Sequence, residues 1–196
     1  MQKLVFFVGV AGTGKTTVAK RLAEKVPVVF IDRDTVGGRF VEALLMEEGL
    51  DKDDRDSDFY KKNLRQLEYD ATADICKENL ALGQNVFMIS PFTAELKNKE
   101  WIDQLLADAG RSLSDVDVKI VVVTLSDSEK QRKRIEFRQS SRDEWKLEHW
   151  DEYWKNLKFV PEINWSLDDS SILIYDNSED LTDAHIDAIG TFIGMK

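Results

Sequence analysis

Eight residues near the start of the chain carry its clearest chemistry. Gly9-Val10-Ala11-Gly12-Thr13-Gly14-Lys15-Thr16 reads G-x-x-x-x-G-K-T without a mismatch. Glycines at these places let a backbone wrap and turn its N–H groups inward, which makes an anion nest. A helix starting near Thr16 adds the positive end of its dipole. In such a loop the lysine, Lys15, reaches the β- and γ-phosphates of a nucleotide, and the hydroxyl of Thr16 binds Mg²⁺. Gly9, Ala11, Gly12, Thr13, Gly14, Lys15, Thr16 and Thr17 are therefore the expected nucleotide contacts, with ATP and Mg²⁺ as the expected cofactors.

Two further groups of residues suit the same chemistry. Asp32 and Asp34 follow the apolar run Val28-Val29-Phe30-Ile31. Two carboxylates two residues apart at a strand end can divide the work, one holding Mg²⁺ through water and one accepting a hydrogen bond from a substrate hydroxyl. Phosphoryl transfer asks little of a base beyond orienting the nucleophile, so an ordinary aspartate suffices. The plain alternative is a helix cap or a solvated turn. Further on, Arg132, Lys133, Arg134, Arg138 and Arg142 make a basic stretch. Arg134, Arg138 and Arg142 fall at i, i+4 and i+8, along one slowly drifting helix face. Guanidinium groups so spaced can clamp a triphosphate and neutralise charge on the group in transit. The alternative is a solvated face whose charges pair with Glu129 and Glu136.

The elements that must hold these residues alternate along the chain. Leu4–Val8, Val28–Ile31, Val86–Ile89, Val118–Leu125 and Ile172–Tyr175 are continuous apolar runs, read as five buried strands. Helical spacing predicts helices behind the glycine loop and over about 39–48, 58–82, 94–109, 128–139 and 181–193. Gly37-Gly38 punctuates before the second of these. The helix over 58–82 should bury Tyr60, Leu64, Leu67, Ala71 and Ile75 and stop at Gly83. The pattern is that of an α/β protein with a parallel sheet covered by helices on both faces. Ligands on such sheets sit beyond the carboxyl ends of the strands, here 9–16, 32–39, 90–93, 125–127 and 176–178.

Composition limits the rest. The 196 residues suit one domain, with 35–82 as a helical acceptor-binding region and about 139–166 as a lid. A net charge of −10 argues against a sequence-independent grip on nucleic acid. The lone cysteine, Cys76, is expected buried and inert. No apolar run approaches membrane-spanning length, and a cytoplasmic protein, monomer or homodimer, is expected. On the substrate side, Arg39 could pair with an anionic group of the acceptor or lie on the surface. The acidic run Glu47, Glu48, Asp51, Asp53, Asp54, Asp56 and Asp58 reads as a solvated loop or as a negative mouth for a cationic acceptor. Trp150 and Trp154, at i and i+4, could stack on a ligand ring or pack the lid onto the body. His185 is expected to be satisfied and half-buried, and His149 lies in the charged lid region with no partner that suggests a metal.

With these residues in view, the chain resembles the small-molecule kinases of the phosphate-loop class: shikimate and gluconate kinases, adenylate kinase, the chloramphenicol phosphotransferases, the zeta-toxin kinases and AAA-type bacterial kinases. Phe30-Ile31-Asp32-Arg33-Asp34 is similar to the family's F-x-D-x-D. The resemblance implies a three-layer α/β/α fold with a helical substrate region and a lid. It also implies that Asp32 lies near Mg²⁺ and that Asp34 binds the acceptor hydroxyl. Ser128-Glu129…Arg134…Arg138 resembles the helix whose first arginine packs on adenine and whose second reaches the phosphates. Tyr175-Asp176-Asn177-Ser178 stands where the family has its adenine-contacting loop, which implies a nucleotide contact at Asn177. Strand three ends in Ser90, where many relatives carry an acidic Mg²⁺ partner.

The expected activity is ATP- and Mg²⁺-dependent transfer of a phosphoryl group to a hydroxyl of a small molecule such as a sugar acid, an amino sugar or an antibiotic. Lys15, Asp34, Arg138 and Arg142 would act on the reacting groups. Three alternatives stay open: a regulatory nucleotide-dependent switch, a kinase of nucleic-acid or nucleotide ends, and a toxin-type kinase of sugar nucleotides.

Overall fold

The computed structural model describes residues 1–140 and 143–195. Five strands, β1 (Gln2–Val8), β2 (Val29–Asp32), β3 (Val86–Ile89), β4 (Val116–Thr124) and β5 (Ile172–Asp176), form one sheet in the order β2-β3-β1-β4-β5. All four pairings are parallel; Phe7 of β1, for example, is in register with Ile89 of β3 and Val121 of β4. This is the architecture the alternating apolar runs predict.

The central strand explains why those runs are continuous. Leu4 to Val8 are wholly buried, and successive side chains enter opposite layers. Leu4, Phe6 and Val8 join Cys76, Leu80, Ile102 and Leu106, which come from α3 (Arg65–Ala81) and α4 (Trp101–Asp108). Val5 and Phe7 join Val18 and Leu22 of α1 (Lys15–Ala23) and Ile186 and Ile189 of α8 (Asp183–Phe192). With both faces covered, no strand position is left for polar alternation. Cys76 is buried as expected, and burial pushes its thiol up to about 12.

Three helices depart from their expected limits. The one expected over about 94–109 is confined to Trp101–Asp108, with turns over 93–97 in place of its first half; the other two depart for a physical reason. The helix α2 (Arg33–Glu47) starts six residues before the expected position, because Asp32 caps it by accepting the Asp34 backbone N–H. Gly37 and Gly38 are not punctuation; they lie inside α2 and are buried. A Cβ on Gly37 would stand 2.7 Å from Cγ of Glu68 on α3, so the glycine lets the two helices approach. The stretch before α3 is a π-turn, Tyr60–Leu64. Its wider turn shifts the phase of α3. Burial falls on Tyr60, Leu64, Glu68, Thr72, Cys76 and Leu80, while Leu67 and Ala71, expected in the stripe, are exposed. Val41, Leu45, Tyr60 and Leu64 make a separate small core between α2 and this turn.

Past β4 come α5 (Ser128–Phe137), α6 (Glu144–Glu148) and α7 (Trp150–Asn156). Trp150 is buried and donates its Nε1 hydrogen to Ser128 Oγ at 2.9 Å, so α7 packs on the start of α5. Trp165, at the far end of the expected lid, belongs to the main core. Its ring stacks on Trp101 at 5.5 Å and meets Phe6 edge-on at 4.9 Å. His185 closes the capping box at the start of α8 with Thr182. Among the described residues no helix is long and apolar enough to cross a membrane.

Candidate active site

The loop between β1 and α1 is held open from behind. Gly14 has φ 88°, a left-handed conformation that glycine adopts without strain, and a Cβ there would stand 2.5 Å from Asn177 Nδ2. Gly9 lies against the Val123 carbonyl of β4, and Gly12 against Ile135 and Gln131 of α5. Thr13 Oγ1 donates to the Val10 carbonyl at 3.1 Å, and Gln131 Nε2 donates to that of Ala11. The Thr13 carbonyl accepts from Asn177 Nδ2 at 2.8 Å and from Arg134 Nη1 at 3.2 Å. Arg134 Nη2 also donates to the Asn177 carbonyl at 3.3 Å. With these carbonyls engaged by side chains, the loop's amides are left for an anion.

Two cavities meet at this loop. One, of about 570 Å³, is lined by Gly12, Gly14, Thr17, Arg134, Phe137 and Asn177 among others. The other, of about 240 Å³, is lined by Asp32, Arg33, Asp34, Arg55, Asp56 and Ser90 among others. Lys15, Thr16 and Arg138 line both. The Lys15 ammonium lies in a desolvated position although part of its chain borders the cleft. Desolvation draws its pKa down to about 8, against the opposing pull of Asp34 and Asp32.

The two aspartates occupy different places. Asp32 Oδ2 accepts from Thr16 Oγ1 at 3.1 Å while its Oδ1 caps α2. Burial, and then repulsion from Asp34, raise its carboxyl above the ordinary range. Asp34 is half exposed on the cleft, and its Oδ1 accepts from Arg33 Nη2 at 2.8 Å. Arg33, present in the sequence only as the spacer between the two acids, is a site residue that sequence reasoning missed. It is buried, its Cζ lies 4.9 Å over the Tyr69 ring, and its charge is held more firmly than usual, desolvation being outweighed by Tyr69 and Asp34. Tyr69 OH accepts from Ser90 Oγ at 3.0 Å, so the strand-three serine orders this wall from behind.

The acidic run contributes a cation to the same cleft. Arg55 Nη1 donates to both oxygens of the buried Glu68, at 2.7 and 2.6 Å, and Tyr60 OH donates to Glu68 Oε2 at 2.7 Å. Arg55 and Asp56 therefore line the cavity rather than forming a purely solvated loop or an all-negative mouth. Asp53 Oδ2 accepts from Ser140 Oγ at 2.9 Å, which joins this loop to the end of α5.

The remaining expected residues divide. Arg138 Nη2 lies 3.0 Å from Asp143 Oδ2, and Lys146 Nζ lies 2.8 Å from Asp143 Oδ1, so all three ring the cleft. Arg142 lies outside the described residues. Arg39 is exposed on α2 and lines neither cavity, because the earlier helix start turns it away from the Gly37–Val41 face. Arg33 and Arg55 line the smaller cavity instead. Their signal was faint in the sequence, since both depend on the packing of α2 against α3.

Sheet order, phosphate loop and paired cavities define a phosphate-loop nucleotide-binding protein with the α/β fold of small-molecule kinases. The chain belongs to the AAA domain family, whose model matches residues 4–160. A provisionally assigned kinase from Chloroflexus aurantiacus shares the fold at 19% identity and TM-score 0.69, with 97% of this chain and 98% of that one covered. A gluconokinase from Sinorhizobium meliloti aligns at 17% identity and TM-score 0.55, covering 98% and 91%. A shikimate kinase from Bacteroides thetaiotaomicron aligns at 16% and 0.54, covering 99% of each chain. No curated protein is significantly similar in sequence.

Proposed function

We propose that this protein is an ATP- and Mg²⁺-dependent kinase that phosphorylates a hydroxyl of a small polar acceptor. The observation that carries the reading is the shared lining: Lys15, Thr16 and Arg138 border both cavities, so one set of side chains faces donor and acceptor together. The donor set fits the expected cofactors. Gly14 lets Asn177 and Arg134 brace the loop closely, Lys15 is a desolvated cation, and Thr16 and Asp32 already share a hydrogen bond as a hydroxyl–carboxylate pair. ATP would supply the transferable phosphoryl group, and Mg²⁺ would offset its charge.

In this reading Lys15 and the loop amides hold the β- and γ-phosphates, and Thr16 and Asp32 hold Mg²⁺. Arg134 and Asn177 border the donor pocket while bracing the loop. Arg138 faces the γ-phosphate from across the cleft. Asp34 orients the acceptor hydroxyl and accepts its proton as the new P–O bond forms and the bond to the β-phosphate oxygen breaks. Residues 35–82 make the acceptor wall, and the lid runs from about 139 to the Trp165 anchor. The acceptor cavity, at about 240 Å³, is below the range of drug-sized pockets. That favours a monosaccharide-sized acceptor over a bulky antibiotic or a sugar nucleotide.

The test is ADP release from Mg²⁺-ATP against sugar acids, amino sugars, aminoglycosides, nucleosides, nucleoside monophosphates and amino-sugar nucleotides. One acceptor should stimulate release, and Lys15→Ala and Asp34→Asn should each abolish the stimulation. ATP binding with no stimulation by any acceptor would favour a nucleotide-dependent switch.

A further inference from the structure

The segment that follows α5 buries an acid between two cations. Asp143 keeps 1% of its side chain exposed, whereas Arg138 keeps 33% and Lys146 keeps 22%. Arg138 Nη2 lies 3.0 Å from Asp143 Oδ2, and Lys146 Nζ donates to Asp143 Oδ1 at 2.8 Å. Each carboxylate oxygen therefore faces one cation. Burial, and then the charge of Asp143, push the Tyr153 hydroxyl of α7 up to about 12, so this neighbour stays neutral and brings no second negative charge.

The backbone is constrained to bring the acid here. Gln139, directly after Arg138, has φ 50°, a left-handed conformation that a residue with a Cβ keeps only where its surroundings impose it. It turns the chain out of α5. Ser140 Oγ then donates to Asp53 Oδ2 at 2.9 Å, and the Asp143 N–H donates to the Ser140 carbonyl at 3.0 Å. The reversal returns Asp143 to the side chain of Arg138.

Charge says what the acid does there. Two cations on one wall repel each other, and each gains hydration by swinging into water. A buried carboxylate loses its own hydration and is offset only by well-placed partners, so it ties both side chains to one point. The acid is the hidden member of the set, and the cations are the open ones. Arg138 lines both cavities and Lys146 lines the smaller one. Two positive charges against one negative leave a positive surplus where the cavities meet. A set that served the fold alone would gain nothing from leaving both cations open to the cleft.

We infer that Asp143 is a positioning residue for phosphoryl transfer: it holds Arg138, with Lys146 beside it, aimed at the γ-phosphate across the cleft. The inference rests on the kinase reading above. Asp143 acts through Arg138 and does not itself bind the nucleotide.

The experiment compares, by calorimetry on the whole protein, the affinity for a non-hydrolysable ATP analogue with that for ADP, both with Mg²⁺. The ratio isolates what the γ-phosphate contributes, and turnover with ATP and acceptors is measured beside it. The parent protein should favour the analogue by about tenfold or more. Asp143→Asn should bring that ratio down by about tenfold, leave ADP affinity unchanged, and lower kcat more than it raises KM for ATP. Arg138→Gln should lower the ratio as well. Arg138→Gln with Asp143→Asn should lose no more than Arg138→Gln alone, because the acid works through the arginine. Asp143→Asn with Lys146→Gln removes an acid and a base together, so it strands no extra charge in the fold, and it should lose the ratio as Asp143→Asn does. A parent protein without the preference overturns the inference. So does an unchanged ratio in the Asp143 variants with only the melting temperature lowered, and so do additive losses in the Arg138 and Asp143 pair. An unchanged ratio and kcat in Asp143→Asn, in a protein that phosphorylates an acceptor, overturns the positioning role and leaves the kinase reading intact. A ratio that depends on Asp143, with no acceptor turned over, upholds the positioning role and counts against the kinase reading.

Discussion

Lys15 holds a proton that its own surroundings work to remove. Desolvation lowers its pKa to about 8 in the ligand-free protein, and a phosphate placed against it would raise that value again. The group is thus charged both free and bound well below pH 8, and as the pH rises through about 8 the free protein must increasingly take up a proton to bind. Nucleotide affinity should therefore be flat below about pH 8 and fall by up to about tenfold per pH unit above it. Calorimetry at pH 8.5 in buffers of different ionisation enthalpy should show proton uptake, and none at pH 6.5. The Thr16–Asp32 hydrogen bond carries a second prediction: Asp32→Asn should raise the Mg²⁺ concentration needed for half-maximal turnover by about tenfold or more. That Lys15, Thr16, Asp32 and Asp34 meet in one cleft was legible in the sequence, because it depends on spacing along one loop or one strand end. Arg33 and Arg55 were not, because each becomes a site residue only through Tyr69, Tyr60 and Glu68, which lie far along the chain.

The helices between β2 and β3 show how element limits decide which side chains face the cleft. Asp32 serves as both the cap of α2 and the partner of Thr16, so the start of the helix is tied to the site. Gly37 lets α3 close enough for Glu68 to reach Arg55. Gly37→Ala should cost about 1–3 kcal/mol, since a Cβ would meet Glu68 Cγ at 2.7 Å, and thermal melting would measure it. Glu68→Ala, which strands Arg55 and removes the acceptor of Tyr60 OH, should cost about 3 kcal/mol or more in a denaturant titration. Apolar runs located the strands here, since burial on both faces leaves a plain signature. The helix phase was less legible: a glycine pair inside a helix and a π-turn both break the 3.6-residue rule, and both are stabilised by tertiary contacts.

At the scale of the molecule, the sheet places the carboxyl ends of β1, β2 and β3 side by side, and the smaller cavity opens over them. The segment from α5 to β5 contributes Arg138 to both cavities and Asp143 and Lys146 to the smaller one, and it meets the body through α5 under the phosphate loop and through Trp165 in the core. Trp165→Ala should destabilise the fold by about 3–5 kcal/mol, a loss read in chemical denaturation, because the ring meets Phe6 and Trp101 in the main core. The alternation of strands and helices made this architecture readable from the chain alone. The far boundary of the segment expected as a lid was less so, since a tryptophan in a charged stretch looks the same whether it anchors a core or faces a ligand.

The division of the five tryptophans also gives the protein a built-in optical signal. Trp165 is buried in the main core and Trp101, partly buried, stacks on it at the core's edge, so these two emit against a fixed background. Trp145, half exposed and stacked on His149, and the neighbouring Trp150 and Trp154 all lie between α5 and β5. A change in intrinsic emission on adding nucleotide or acceptor would report on the surroundings of Trp145, Trp150 and Trp154, and its rate could be read by stopped flow without a label.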